Sequence, residues 1–254
     1  VVSGASLRTP MERLLYGLGY AVRETGQALD RLGLTLQGSR IFREELSRHR
    51  TILPLFGKVP SVPASAFVAP SASVVGDVTI GERSSIWYSA VLRGDVNKIT
   101  VGNDTNIQDG SVIHVAKTNL NGKLLPTIVG DRVTVGHKAI LHACTVQDDC
   151  LIGMGATVMD EAVIEKNSIV AAGAVVTTGT VVKSGEIWAG NPAKLLRKMT
   201  ADETAFIPKS AATYAELGEQ HSTECAKSFE EVEEDKFRRE DIKYRGEDYK
   251  AQIG

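Results

Sequence analysis

Three of the five histidines in the chain, His114, His137 and His142, cluster near its middle. His137 and His142 sit inside the aliphatic run VTVGHKAILHACTV (Val133 to Val146), and His114 lies in QDGSVIHV. A single histidine in an apolar repeat is ordinarily structural. Three imidazoles aimed at one point are instead the ligand set of a catalytic zinc that keeps its fourth position open. Whether these three converge depends on the element that carries them.

That element is a six-residue repeat. Val68, Val74, Ile80, Ile86 and Leu92 are spaced by six, and after a slip of three the series resumes as Val101, Ile107 and Ile113. Beyond a longer insertion it continues as Ile128, Thr134, Ile140, Val146, Ile152, Val158, Ile164, Val170, Val176 and Val182. Of these 18 positions, 17 are Val, Ile or Leu, and Thr134 is the polar exception. A period of six is neither the 3.6 of a helix nor the 2 of a strand. It is the hexapeptide repeat of a parallel β-helix. Three short strands make each triangular coil, and the aliphatic residue of each hexad points inward onto its equivalent about 4.8 Å away.

The repeat gives each histidine a coordinate. With the insertion read as one lengthened step, Ile140 stacks on Ile113 one coil away. His114 follows its inward residue by one and His142 follows its own by two, so both project outward from one face at adjacent slots. His137 belongs to the hexad of Thr134 and lies around a corner. It reaches such a pair only if a second prism stands alongside, as threefold packing would provide at three equivalent interfaces. His49 and His221 lie outside the repeat.

The remaining regions flank this prism, giving expected divisions at 1–60, 61–192 and 193–254. Met11, Leu14, Leu15, Leu18, Val22, Leu29, Leu32 and Leu36 recur at helical steps, with Pro10 in the first turn and Thr9 as N-cap. Gly19, Gly26 and Gly33 form a smooth stripe on that helix, suited to packing against the protein's own body, a partner or a membrane surface. RIFREELSRHR (Arg40 to Arg50) is locally basic and reads as a solvated helix end, or as a contact for anionic lipid or an acidic partner. At the other end, TADE (Thr200 to Glu203) has the spacing of a capping box and opens a second helix through Tyr214–Leu217. From Glu224 onward ten acids face seven bases, as in a solvated helix or arm.

Composition narrows the function classes. A net charge of −2 over 254 residues argues against nucleic acid as a partner. Three cysteines suggest no disulfide framework. No apolar run reaches the length of a transmembrane helix.

RGD (Arg93 to Asp95), NIQD (Asn106 to Asp109), the three histidines and the closing GNPAK (Gly190 to Lys194) together resemble the γ-class carbonic anhydrases. The resemblance covers about Pro63 to Lys198. It implies a trimeric left-handed β-helix that hydrates CO2 to bicarbonate reversibly, with Zn2+ on His114, His137 and His142 between subunits. It implies Arg93 and Asp95 as a salt-bridged pair at the subunit interface and Gln108 as the hydrogen-bond partner of the reacting hydroxide. Asn106, Asp109 and Asn191 complete the implied catalytic site. The N-terminal segment with GQALDRLG, the LSRHR stretch and the C-terminal helix are similar to the mitochondrial branch, the γ-carbonic-anhydrase subunits of plant and algal respiratory complex I. That branch implies a homo- or heterotrimer on the membrane-arm subunits of complex I, at the matrix side of the mitochondrial inner membrane. Lipid contact through the N-terminal helix would go with it. A catalytically weak assembly subunit is the alternative, and a hexapeptide acyltransferase a more distant one. The sequence departs from the family's enzymes at Val96, where they carry glutamate. It departs again in the insertion Val115 to Thr127, which has two lysines and no carboxylate for exporting the proton.

Overall fold

Six-residue spacing of inward aliphatics builds a parallel β-solenoid in the computed structural model, which describes residues 10–38 and 49–244. Thr9 and most of the Arg40–Arg50 stretch lie outside those residues. The chain divides into two units: Arg50–Ala226, which holds the solenoid, and Val1–His49 with Lys227–Gly254. In the second of these, helix α1 runs Pro10–Gln37 and helix α3 runs Phe229–Tyr244. Met11, Leu14, Leu15, Leu18, Val22, Leu29, Leu32 and Leu36 of α1 are exposed in the single chain. No helix among the described residues is long and apolar enough to cross a membrane.

The solenoid strands stack in three parallel columns. One passes through Ser73–Ile80, the start of Val91–Val101, Val112–His114, Ile140–His142, Thr157–Val158 and Val175–Val176. A second runs through the end of Val91–Val101, then Thr127–Val129, Thr145–Val146, Val163–Ile164 and Val181–Val182. The third runs Phe67–Val68, Ser85–Ile86, Asn106–Ile107, Thr134–Val135, Leu151–Ile152, Ile169–Val170 and Glu186–Ala189. The core is the inward column, in which Leu92, Ile107, Ile113, Ile152 and Val170 are wholly buried. Each such side chain stabilises the fold by about 1.5–3 kcal/mol relative to exposure.

In three hexads after the insertion the inward residue is one later than the spacing predicts. Val129, Val135 and Leu141 are buried, whereas Ile128 and Ile140 are each 42% exposed. Thr134 is therefore no polar intruder in the column. It points outward beneath a helix, where its hydroxyl accepts from Asn106 Nδ2 at 2.9 Å.

That helix, α2 (Ala201–Cys225), starts where the capping box predicts. The Glu203 amide donates to Thr200 Oγ1 at 3.2 Å, and the Thr200 amide donates to Glu203 Oε2 at 2.8 Å. Hydrogen bonds from Arg197 do most to hold the Glu203 carboxyl down, at about 2. Ile207, Ala211, Ala215 and Gly218 form the buried stripe of α2, laid on the third column from Phe67 to Val135. Gly218 lets the helix approach closely there: a Cβ would come within 3.2 Å of Ser85 Cβ, so the neighbour would have to shift by a few tenths of an ångström. Covered by α2 outside and filled by the core inside, Ser85–Ile86, Asn106–Ile107 and Thr134–Val135 are buried on both sides.

All three cysteines are free thiols. Burial pushes Cys144 and Cys150 up to about 12, so neither offers a thiolate near neutral pH. Cys225, at the end of α2, is exposed. Ellman's reagent is therefore expected to titrate one thiol per native chain, Cys225, and all three only after unfolding. Fast reaction of more than one native thiol would contradict the packed interior.

Candidate metal centre

His114 and His142 each follow a buried residue of the core, Ile113 and Leu141, which are paired in register. Strand alternation then turns both imidazoles outward on one face. His142 pairs directly with His114, and His114 with Arg93, so three outward side chains stack along the column. The two ring centroids are 5.2 Å apart. This confirms the expected shared face and tightens it, since both histidines stand one residue after their inward neighbour.

Each imidazole is held by a carboxylate. His114 Nε2 lies 3.0 Å from Asp95 Oδ1, and the other Asp95 oxygen accepts from Arg93 Nη1. Burial acts to raise the Asp95 carboxyl, but the His114 bond, its charge and Arg93 outweigh it, leaving the group below its ordinary value. His142 Nδ1 bonds Asp160 Oδ1, and His137 Nδ1 lies 2.8 Å from Asp109 Oδ2. Such bonds fix ring orientation and tautomer, as second partners of metal-ligating histidines do. They occupy Nε2 of His114 and Nδ1 of His137 and His142, so each ring keeps one nitrogen for a ligand bond.

His137 extends the third column, around the corner from the other two. Among the described residues, no group of three or more His, Cys, Asp or Glu side chains of a single chain surrounds one metal position. The donor set itself fits a divalent zinc-type ion: two in-register imidazoles on one face, a third on another, each oriented by a carboxylate.

The prism's sequence has close counterparts. Residues 204–254 match the family described as "Gamma carbonic anhydrase 1, mitochondrial C-terminal domain", and residues 143–178 match "Bacterial transferase hexapeptide (six repeats)". Gamma carbonic anhydrase 1, mitochondrial, of Arabidopsis thaliana is 56% identical over 242 residues, covering 95% of this chain and 88% of that protein.

The chain belongs to the γ-carbonic anhydrase family.

A carbonic anhydrase of Geobacillus kaustophilus is 46% identical over 181 residues, 69% of this chain and 96% of its own length. Among solved structures, a hexapeptide transferase family protein from Anaplasma phagocytophilum superposes with a TM-score of 0.63 at 49% identity. That match covers 67% of this chain and 97% of the other.

The other residues expected in this family's site fall in two places. Gln108 and Asn106 are buried beneath α2, where Gln108 Nε2 donates to Asn106 Oδ1 at 3.1 Å. With the Asn106–Thr134 bond this forms a short chain that fixes the Gln108 carboxamide. Asp109 follows directly and holds His137. Its charge also reaches the Tyr88 and Tyr214 hydroxyls; burial comes first in raising both, and Tyr88 stands at about 12. Asn191, at the cis Asn191–Pro192 bond, lies beyond Val175–Val176 in the first column. It is three strands from His142, about 14 Å at the usual spacing, so one chain does not bring the two together. Gly94 of RGD is a packing residue, because a Cβ there would meet Asp77 O at 2.4 Å.

Asp160 was not among the expected residues. Its signal is its position: it follows His142 by 18 residues, one coil of three hexads.

Proposed function

We propose that this chain is a zinc-dependent carbonic anhydrase subunit whose sites lie between copies in a trimer. The observation that carries the reading is the in-register His114/His142 pair, with His137 on a separate face and a carboxylate on every ring. His114 and His142 of one chain and His137 of the next would hold the ion. Zinc on three neutral imidazoles supplies a Lewis acid that makes water a nucleophile near pH 7. Asp95, Asp109 and Asp160 keep the rings oriented, and the buried Asn106–Thr134 pair fixes the Gln108 carboxamide, which would hydrogen-bond the reacting oxygen. Arg93 and Asp95 stand beside His114 as a fixed charge pair.

Relatives at 54–59% identity carry the word mitochondrial in their names, which supports a mitochondrial location for this chain. The exposed apolar stripe of α1 supports attachment to a larger assembly. We place that assembly at the membrane arm of respiratory complex I, on the matrix side of the inner membrane. The same stripe favours a second reading, an assembly subunit with little catalysis.

Stopped-flow CO2 hydration on zinc-loaded trimer separates the two. Hydration above a metal-free control supports the enzyme, and none leaves the assembly role alone.

A further inference from the structure

The insertion between His114 and Thr127 folds as an antiparallel hairpin, Ala116–Thr118 against Leu124–Leu125. An insertion in a solenoid needs bonds only at its base. This one has them: Thr127 Oγ1 donates to the His114 carbonyl and accepts from the Ala143 amide at 2.9 Å. Two further attachments tie it to other coils, one beside its base and one at its tip. On one side Asn97 Nδ2 is 3.2 Å from both the Ala116 and Lys117 carbonyls. On the other, Asn119 Nδ2 donates to Glu161 Oε1 at 2.8 Å, with Lys123 Nζ at 3.9 Å from Glu161 Oε2. The hairpin thus runs from the coil before His114 to the coil after His142. Each pin also neighbours a carboxylate that holds an imidazole: Asn97 follows Asp95 by two residues, and Glu161 follows Asp160 by one.

We propose that the hairpin is a strap across the histidine pair, and that Asn97 and Glu161 are positioning residues for the metal. By tying segments 95–97 and 160–161 to one hairpin, they hold Asp95 and Asp160 where these orient His114 and His142. Glu161 also gives the tip of this carboxylate-free insertion a carboxylate partner, as a hydrogen-bond acceptor for Asn119. This inference rests on the metal-site reading, so its test reads metal binding rather than turnover.

Full-length trimer is loaded with zinc and challenged with a chromogenic chelator, while hydrogen exchange follows the amides of residues 116–125. Glu161→Ala is expected to speed exchange in the hairpin and to weaken zinc binding about tenfold, within the range for loss of an outer partner. Asn119→Ala breaks the same bond and also the turn bonds that Asn119 Oδ1 accepts from the Asn121 and Lys123 amides, so it should weaken zinc binding at least as much. Glu161→Gln keeps an acceptor for Asn119 and should stay near wild type. Faster exchange with unchanged zinc affinity overturns the proposal and leaves a merely stabilising strap. Glu161→Gln falling as far as Glu161→Ala also overturns it, because charge rather than attachment would then matter. A wild-type trimer that takes up no zinc sinks the metal-site reading and this inference with it.

Discussion

An equimolar mixture of His142→Ala and His137→Ala chains is expected to regain the zinc binding that neither variant shows alone. Each variant by itself lacks one imidazole at every interface, so its hydration rate should fall to that of the metal-free control. In a mixed trimer, an interface is whole when the His137→Ala chain presents His114 and His142 to a His142→Ala neighbour that still carries His137. Random assembly gives this at about one quarter of interfaces. Zinc per trimer after refolding the chains together measures it, with circular dichroism as the check on folding. Both variants should fold, since His137 and His142 point outward and the core contributions come from Val135 and Leu141. Asp109 and Asp160 would lose a partner but stay partly exposed, so neither becomes a buried unpaired charge. No recovery on mixing would show that the three histidines do not share an ion across chains. Full zinc retention by His137→Ala would place the site within one chain.

How far the site could be read from sequence follows from what a period can encode. Periodicity fixes which face a residue occupies, so the His114/His142 pairing and the separation of His137 were both legible. Periodicity does not say which of the neighbouring polar groups bond. The His137–Asp109 contact joins equivalent slots of adjacent coils, because Asn106–Ile107 pairs with Thr134–Val135, so the lengthened-step count put it within reach although the bond itself was not read. Asp160 was within reach, one coil after His142, but an acid beside a glutamate at a corner reads as solvated surface until its partner is seen. The insertion shows the same limit. Its lack of carboxylates was plain, whereas the carboxylate it borrows from Glu161 depends on how the hairpin folds back.

The inward register yields the second large effect. Leu141→Ala is expected to cost about 2–5 kcal/mol of stability, the range for emptying a leucine-sized space in a packed core. Ile140→Ala should change the folded chain's stability by no more than about 0.5 kcal/mol, as for an exposed position. Chemical unfolding of both variants at matched concentration measures the contrast. The spacing alone predicts the reverse, because six-residue counting lands on Ile128, Thr134 and Ile140. At each of these the next residue is aliphatic, as Ile-Val, Thr-Val and Ile-Leu, so a second register fits as well, and Thr134 is the one position that favours it. The chain then shortens one step by a residue, from Leu141 to Val146, and the count returns to phase at Val146. That compensation conceals the slip from any count that assumes equal steps. What resolves it is strand pairing, which sets Leu141 against Ile113 and leaves Ile140 opposite Val112 on the outside. If a neighbouring copy covers Ile140, its substitution would loosen the trimer rather than the prism, and the loss would shrink as protein concentration rises. Equal, concentration-independent losses for both variants would mean that Ile140 faces the core after all.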